Sequence, residues 1–154
     1  RLTYGFSLGA EWNGFDFSCL FQGNAGLQVY WQDKFYMGYI NYGDVINKEI
    51  AEGAWREGRT NATYPRLLTG LNTLNAQPSD FWVQNKSYLR LKNVQIGYKI
   101  PKKLLQKLDI SQLRLYTSLE NMLTFTSYKG IDPEISGTTY PTMKQITVGV
   151  NVVF

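Results

Sequence analysis

Few residues in this 154-residue chain could do chemistry. There is no histidine, which removes the commonest general base and the commonest metal ligand. The single cysteine, Cys19, excludes an internal disulfide and a thiolate metal cage. Carboxylates come close together in Gly130-Ile131-Asp132-Pro133-Glu134. A calcium ion takes roughly six to eight oxygen ligands, so two carboxylates do not make a site, and the proline favours a loop-shaping role. Asp80, Asp132 and Glu134 show no spacing that sets up a paired acid and base. No catalytic residue, metal ligand or cofactor is expected. Three aromatics, Trp55, Tyr64 and Trp82, lie in a stretch without strand alternation. Such rings could stack on sugars, grip a peptide or meet a lid protein. They could equally pack the loop on itself, and packing is the reading favoured. A net charge of +4 without a basic stripe argues against nucleic acid as a partner.

The elements that must carry these residues are strands. From Leu2 to Trp12 the alternation is nearly unbroken, with Leu2, Tyr4, Phe6, Leu8, Ala10 and Trp12 on one face. Asn13-Gly14 follows, a hairpin signal because both central residues of a type I′ turn need positive φ. The return strand puts Phe15, Phe17, Cys19 and Phe21 on the same side, since a two-residue loop pairs Trp12 with Phe15. The other side is Gly, Ser and Thr with a few carboxylates. Charged residues are only 18% of the chain, low for a soluble surface, while aromatics reach 15%. Tyr and Trp favour boundaries between water and an apolar phase.

The alternation lapses from about Asn24 to Lys86, a long connection of the kind that is usually functional. It holds one helix candidate, with Asp44 as N-cap, Val45, Ile46, Ile50, Ala54 and Trp55 near helical spacing, and Gly58 as the stop. Strand pattern resumes at Ser87. Val94, Ile96, Tyr98 and Ile100 share a face, but Leu89 and Leu91 have the opposite parity. A β-bulge near Lys92-Asn93 would restore it; alternatively the Leu89 end lies above the apolar zone, against the loop. Pro101 closes this strand, KKLLQKLDI reads as a short amphipathic turn, and a further strand runs from about Gln112 to Phe125. After a loop from Thr126 to Thr142 the chain closes on ITVGVNVVF, with Ile146, Val148, Val150, Val152 and Phe154 pointing one way.

These strands, about five, are joined by connections that alternate short and long, as in an outer-membrane barrel. Each is long enough to cross a bilayer when tilted, and no run approaches the roughly 20 apolar residues of a membrane helix. An open sheet cannot stand alone in lipid, because its edges leave backbone groups unsatisfied. The chain begins without Met and in mid-pattern, so it reads as a piece of something longer. A soluble β-sandwich, either a carbohydrate-binding or an adhesin module, is the competing class. A passive porin is a third.

SYLRLKNVQIGYKIP (87–101), LRLYTSLENMLTFTSYKGIDPE (113–134), Tyr140-Pro141 and the closing VGVNVVF, with YGFSLGAEWNGFDFSCLFQGNAG at the front, resemble the SusC/RagA family of TonB-dependent outer-membrane transporters of Bacteroidetes-type bacteria. Leu119-Glu120 departs from the small residue and glutamine that the family carries before Asn121. The resemblance implies an all-β fold, the C-terminal fragment of a transmembrane antiparallel barrel of about 22 strands with a plugged lumen. It implies a hairpin at 1–24, an extracellular loop with one short helix at 25–86, strands at 87–125, a second extracellular loop at 126–142 and a terminal strand at 143–154. The implied function is import of a nutrient, a glycan oligomer or peptide. The implied partners are a SusD-like surface lipoprotein, TonB through a region absent from this chain, the lipid bilayer and the barrel-assembly machinery. That machinery would read Ile146, Val148, Val150, Val152 and Phe154 as an assembly signal.

Overall fold

The computed structural model describes residues 1–30, 39–40, 45–69, 75, 77–105, 109–135 and 140–154. In chain order the elements are β1 (Leu2–Trp12), β2 (Phe15–Ala25), β3 (Gln28–Tyr30), β4 (Tyr39–Ile40), α1 (Lys48–Gly53), β5 (Leu68–Thr69), a 3₁₀ turn (Asp80–Trp82), β6 (Val83–Asn85), β7 (Tyr88–Lys99), α2 (Lys102–Leu105), β8 (Gln112–Thr126) and β9 (Gln145–Val153). The chain divides into two compact units, one of residues 1–27 and 85–154, the other of residues 28–84.

The first unit is one five-stranded antiparallel sheet in the order β1-β2-β7-β8-β9. Its first turn is the one the sequence requires: Asn13 and Gly14 have φ of 47° and 85°, and Trp12 faces Phe15 across it. The register carries apolar side chains across the sheet in continuous rows. Leu8, Cys19, Val94, Leu119 and Ile146 form one row. Trp12, Phe15, Tyr98, Leu115 and Val150 form another. Phe6 stacks on Phe21 at 4.9 Å between ring centroids. Much of this face is open, with Trp12 77% and Val148 79% exposed, although Cys19 within it is buried. A sandwich would bury such a face against a second sheet; nothing among the described residues covers it.

The parity change in β7 is a bulge. Leu20 pairs with Asn93 but Phe21 with Leu91, so Lys92 is stepped over. On the other side Asn93 pairs with Glu120 and Leu91 with Leu123, leaving Asn121 and Met122 unpaired. Asn121 takes the left-handed φ of 54° there, a conformation that Asn tolerates better than most residues. The extra residue returns Leu89 and Leu91 to the apolar face, opposite Phe125 and Leu123. Both ends of β7 therefore serve the same face.

The opposite face is polar and ion-paired. Arg114 on β8 reaches across β7 to Asp16 on β2, with Nε–Oδ2 at 2.8 Å and Nη2–Oδ1 at 2.5 Å. Gly97 makes that span possible, since a Cβ there would lie 2.5 Å from both Arg114 Nη2 and Asp16 Oδ2. The Arg114 guanidinium also sits 5.1 Å from the Tyr116 ring centroid. Arg–carboxylate pairs with two parallel bonds are the strong, directional kind.

The sequence of the second unit suggests an irregular loop with one helix and an aromatic stretch, Gly26 to Tyr39, open to a strand extension or a short hairpin; β3 falls within that stretch, and the unit is otherwise more ordered than an irregular loop. It has its own buried residues, Ile50, Ala54 and Trp82, and short β pairings, including β4 parallel to β5. Its helix is shorter than the sequence reading. The N-cap is Asn47, whose side chain accepts from the Glu49 N–H at 2.9 Å; Asp44 lies outside the described residues. The helix stops at Gly53 rather than Gly58, because Ala54 turns extended to bridge Tyr64. Val45 and Trp55 are thus outside the helix and exposed. Gly58 instead serves a tight turn at φ 80°. Of KKLLQKLDI, only Lys102–Leu105 is seen as helix, and 106–108 lie outside the described residues.

Candidate functional site

Two places gather side chains that could do more than fold. The first is in the sheet unit, where the loop after β8 returns over the polar face. Arg90, in β7, is 3% exposed. Its Nη2 meets Asp132 Oδ1 at 2.7 Å, its Nη1 meets Glu134 Oε2 at 2.5 Å and its Nε donates to Thr124 Oγ1 at 2.9 Å. Lys92 Nζ adds a second cation, 2.5 Å from Glu134 Oε1. Asp132 accepts further N–H bonds from Glu134 and Thr142, at 2.8 and 3.1 Å. Burial pushes the Asp132 carboxyl up, but the Arg90 guanidinium and the Glu134 and Thr142 donors outweigh it and hold it below its ordinary value. Lys86 donates to the Ile135 carbonyl and lies 5.5 Å from the Tyr128 ring centroid.

The pair Asp132 and Glu134 is thus committed to protein cations. Both carboxylates hold the loop to the sheet, so the loop-shaping reading gains a mechanism in which proline is a minor part. Sequence reasoning missed Arg90, Lys86 and Lys92. The available signal was an arginine at polar parity within a strand, facing a loop with two carboxylates. Only the β7 bulge and the returning loop bring the three segments together.

The second place lies within residues 28–84. Gly53 is crossed closely by the segment 63–64. Thr63 and Tyr64 N–H groups donate to the Gly53 carbonyl at 3.0 and 3.1 Å, and Trp55 N–H donates to the Tyr64 carbonyl at 3.0 Å. A Cβ on Gly53 would fall 2.6 Å from Thr63 Oγ1 and from the Tyr64 ring. This crossing closes the excursion 54–64 and holds Trp55 out. A recess of about 450 Å³ opens beside it, lined by Ala51, Ala54, Trp55, Arg66 and Leu67, among others. A second recess, of about 350 Å³, includes Tyr64, Phe81 and Trp82. Tyr64 donates to Glu49 Oε1 at 2.9 Å, and Phe81 meets Trp82 edge-on at 4.8 Å.

The three aromatics therefore separate. Tyr64 and Trp82 border one recess and Trp55 the other. Trp82, at 3% exposure, is core, whereas Trp55, at 45%, is presented. The remaining candidates, Ile146, Val148, Val150 and Val152, lie on the apolar face of β9, opposite Leu119, Thr117, Leu115 and Leu113. Phe154 follows the strand and is 87% exposed.

No protein-family model matches the chain. Whole-chain similarity is nonetheless clear. The TonB-dependent receptor P3 of Formosa agariphila is 31% identical over 99% of this chain and 16% of its own length. The TonB-dependent receptor SusC of Bacteroides thetaiotaomicron is 28% identical over 62% of this chain and 10% of its own. Among solved structures, the RagAB peptide transporter superposes with a TM-score of 0.76 at 30% identity, covering 96% of this chain and 17% of that one. The chain thus spans about one sixth of the length of the relatives it matches over its full extent. Sequence and fold point to one family: the chain belongs to the SusC/RagA TonB-dependent outer-membrane transporters, as a segment of their β-barrel.

Proposed function

We propose that this segment is part of the wall of an active importer that brings an oligomeric nutrient across the outer membrane, with energy delivered through TonB. The observation that carries the reading is the pair of faces on one sheet. A largely open apolar face suits lipid, and an ion-paired polar face suits a lumen. The connections β2–β7 and β8–β9 leave from one end of the sheet, the tight hairpin and the α2 connection from the other. The long connections then face outside the cell and the short ones the periplasm. A SusD-like lipoprotein would lie over the long connections as a lid. Cargo is a peptide or a glycan oligomer. The peptide is favoured because a solved relative at 30% identity is named a peptide transporter. The terminal strand, with Ile146, Val148, Val150, Val152 and Phe154, serves as the assembly signal.

Deleting the gene for the whole transporter in its host tests the import reading. Growth on peptides or on oligosaccharides as sole nutrient should fail and return on complementation. Unchanged growth on both would sink it. Removing Phe154 alone should lower the amount of transporter in the outer membrane, read by surface labelling; equal labelling would remove the signal role.

A further inference from the structure

The recess beside Trp55 is charged asymmetrically. Arg56, Glu57 and Arg66 are among the residues that border it, two basic side chains to one acidic. Neither arginine forms an ion pair with a described residue. Nearby carboxylates are engaged elsewhere, Glu49 with the Tyr64 hydroxyl at 2.9 Å and Glu52 with Lys48 at 3.7 Å. The Arg66 guanidinium carbon lies 6.0 Å from the Trp55 ring centroid. A guanidinium resting against an indole satisfies its flat face and leaves the N–H edge free. That edge matches a carboxylate with two parallel hydrogen bonds. The other walls, Ala51, Ala54 and Leu67, are aliphatic. A volume of about 450 Å³ suits one terminal unit of a chain better than a whole oligomer. The frame is fixed, because the Gly53 crossing and the Ala54–Tyr64 bridge hold Trp55 in place.

We propose that this recess binds a carboxylate carried beside an apolar group, with Arg66 and Arg56 holding the carboxylate and Trp55 and Leu67 taking the apolar part. The inference rests on the import reading, because the ligand is the end of a cargo molecule. Two cargo sources share this chemistry. One is a peptide C-terminus after an apolar side chain, and the other is a uronic acid that lays its C–H face on the indole.

The test uses the whole transporter in detergent, titrated calorimetrically with matched probes. One pair is a short peptide ending in a free leucine carboxylate and its C-terminal amide. The other is an oligogalacturonate and its methyl ester. In one pair the free acid should bind at least about tenfold more tightly, the scale of a charge-assisted pair. Arg66→Gln with Arg56→Gln should bring the acid down to its neutral analogue, and Arg66→Lys should restore part of the difference. Trp55→Ala should weaken acid and analogue alike. Variants are first checked for unaltered heat-modifiable gel mobility. Equal binding of acid and analogue to the parent protein would overturn the inference and leave import standing. So would an acid preference that survives in the double variant. Failure of every probe to bind would also overturn the inference, while the growth test on the deleted gene decides the import reading separately.

Discussion

The two units of this chain hold their shape by opposite means. The sheet unit repeats one rule along five strands, apolar side chains on one face and polar on the other, and the ladder extends that rule across the register. The unit of residues 28–84 has no repeated rule. It rests on a few particular contacts: Ile50 and Trp82 in its core, a glycine crossed at close range and a six-residue helix with an Asn cap. A repeated pattern spreads stability over many small terms. A small core concentrates it in a few residues, so one substitution should be felt far more.

That contrast can be broken, most directly at Trp82. Trp82→Ala empties much of the small core and should cost about 3–5 kcal/mol locally. Hydrogen exchange in the whole transporter should then lose protection in 45–69 while β1, β2, β7, β8 and β9 keep theirs. Loss of protection in both would mean that the units do not fold independently. A comparable loss is expected inside the sheet unit only where it also relies on a single group. Arg90→Met leaves Asp132 and Glu134 without their shared cation and should cost about 3–5 kcal/mol, because a buried pair is broken on one side. Protease cleavage within 127–144 should then speed up with the strands intact.

Smaller effects sharpen the contrast between the two faces. Val148→Arg places a charge on the apolar face and should cost about 2–4 kcal/mol if that position lies near the bilayer midplane. The same change at Thr147, on the polar face, should cost little. Equal costs would argue that no lipid meets either face. The smallest expected effect is in pH. The Asp132 value is lowered by folding, so its contribution is fully present above the ordinary value of 3.8 and is lost as pH falls through the lowered one. Loop cleavage should therefore accelerate only in that acid range, and Asp132→Asn should remove the acid response.

Much of the sheet was legible in the sequence. Alternation marked β1, Asn13-Gly14 marked its turn, and the parity break at Lys92-Asn93 offered a bulge as one of two readings, between which the register decided. Which residues would meet across the sheet was not legible. Asp16 and Arg114 are joined only because Gly97 leaves room between them, and Arg90 meets Asp132 only because a loop folds back. In the other unit, spacing carried the helix from Asp44 toward Gly58, whereas a backbone bridge from Ala54 to Tyr64 stopped it at Gly53. Trp55 and Trp82 looked alike as loop tryptophans, yet packing made one core and left the other presented.

By itself, the sequence determined that this chain makes strands with one apolar face and that it ends on such a strand. Side-chain period and turn chemistry act between near neighbours and need nothing else. Tertiary structure alone decided which charges are spent and which are free. Asp132 and Glu134 are consumed by Arg90 and Lys92, whereas Arg56 and Arg66 stand beside Trp55 without an ionic partner among the described residues. The physical reason is range. An ion pair depends on a few ångströms between side chains that here stand more than forty residues apart, and only the folded chain sets that distance.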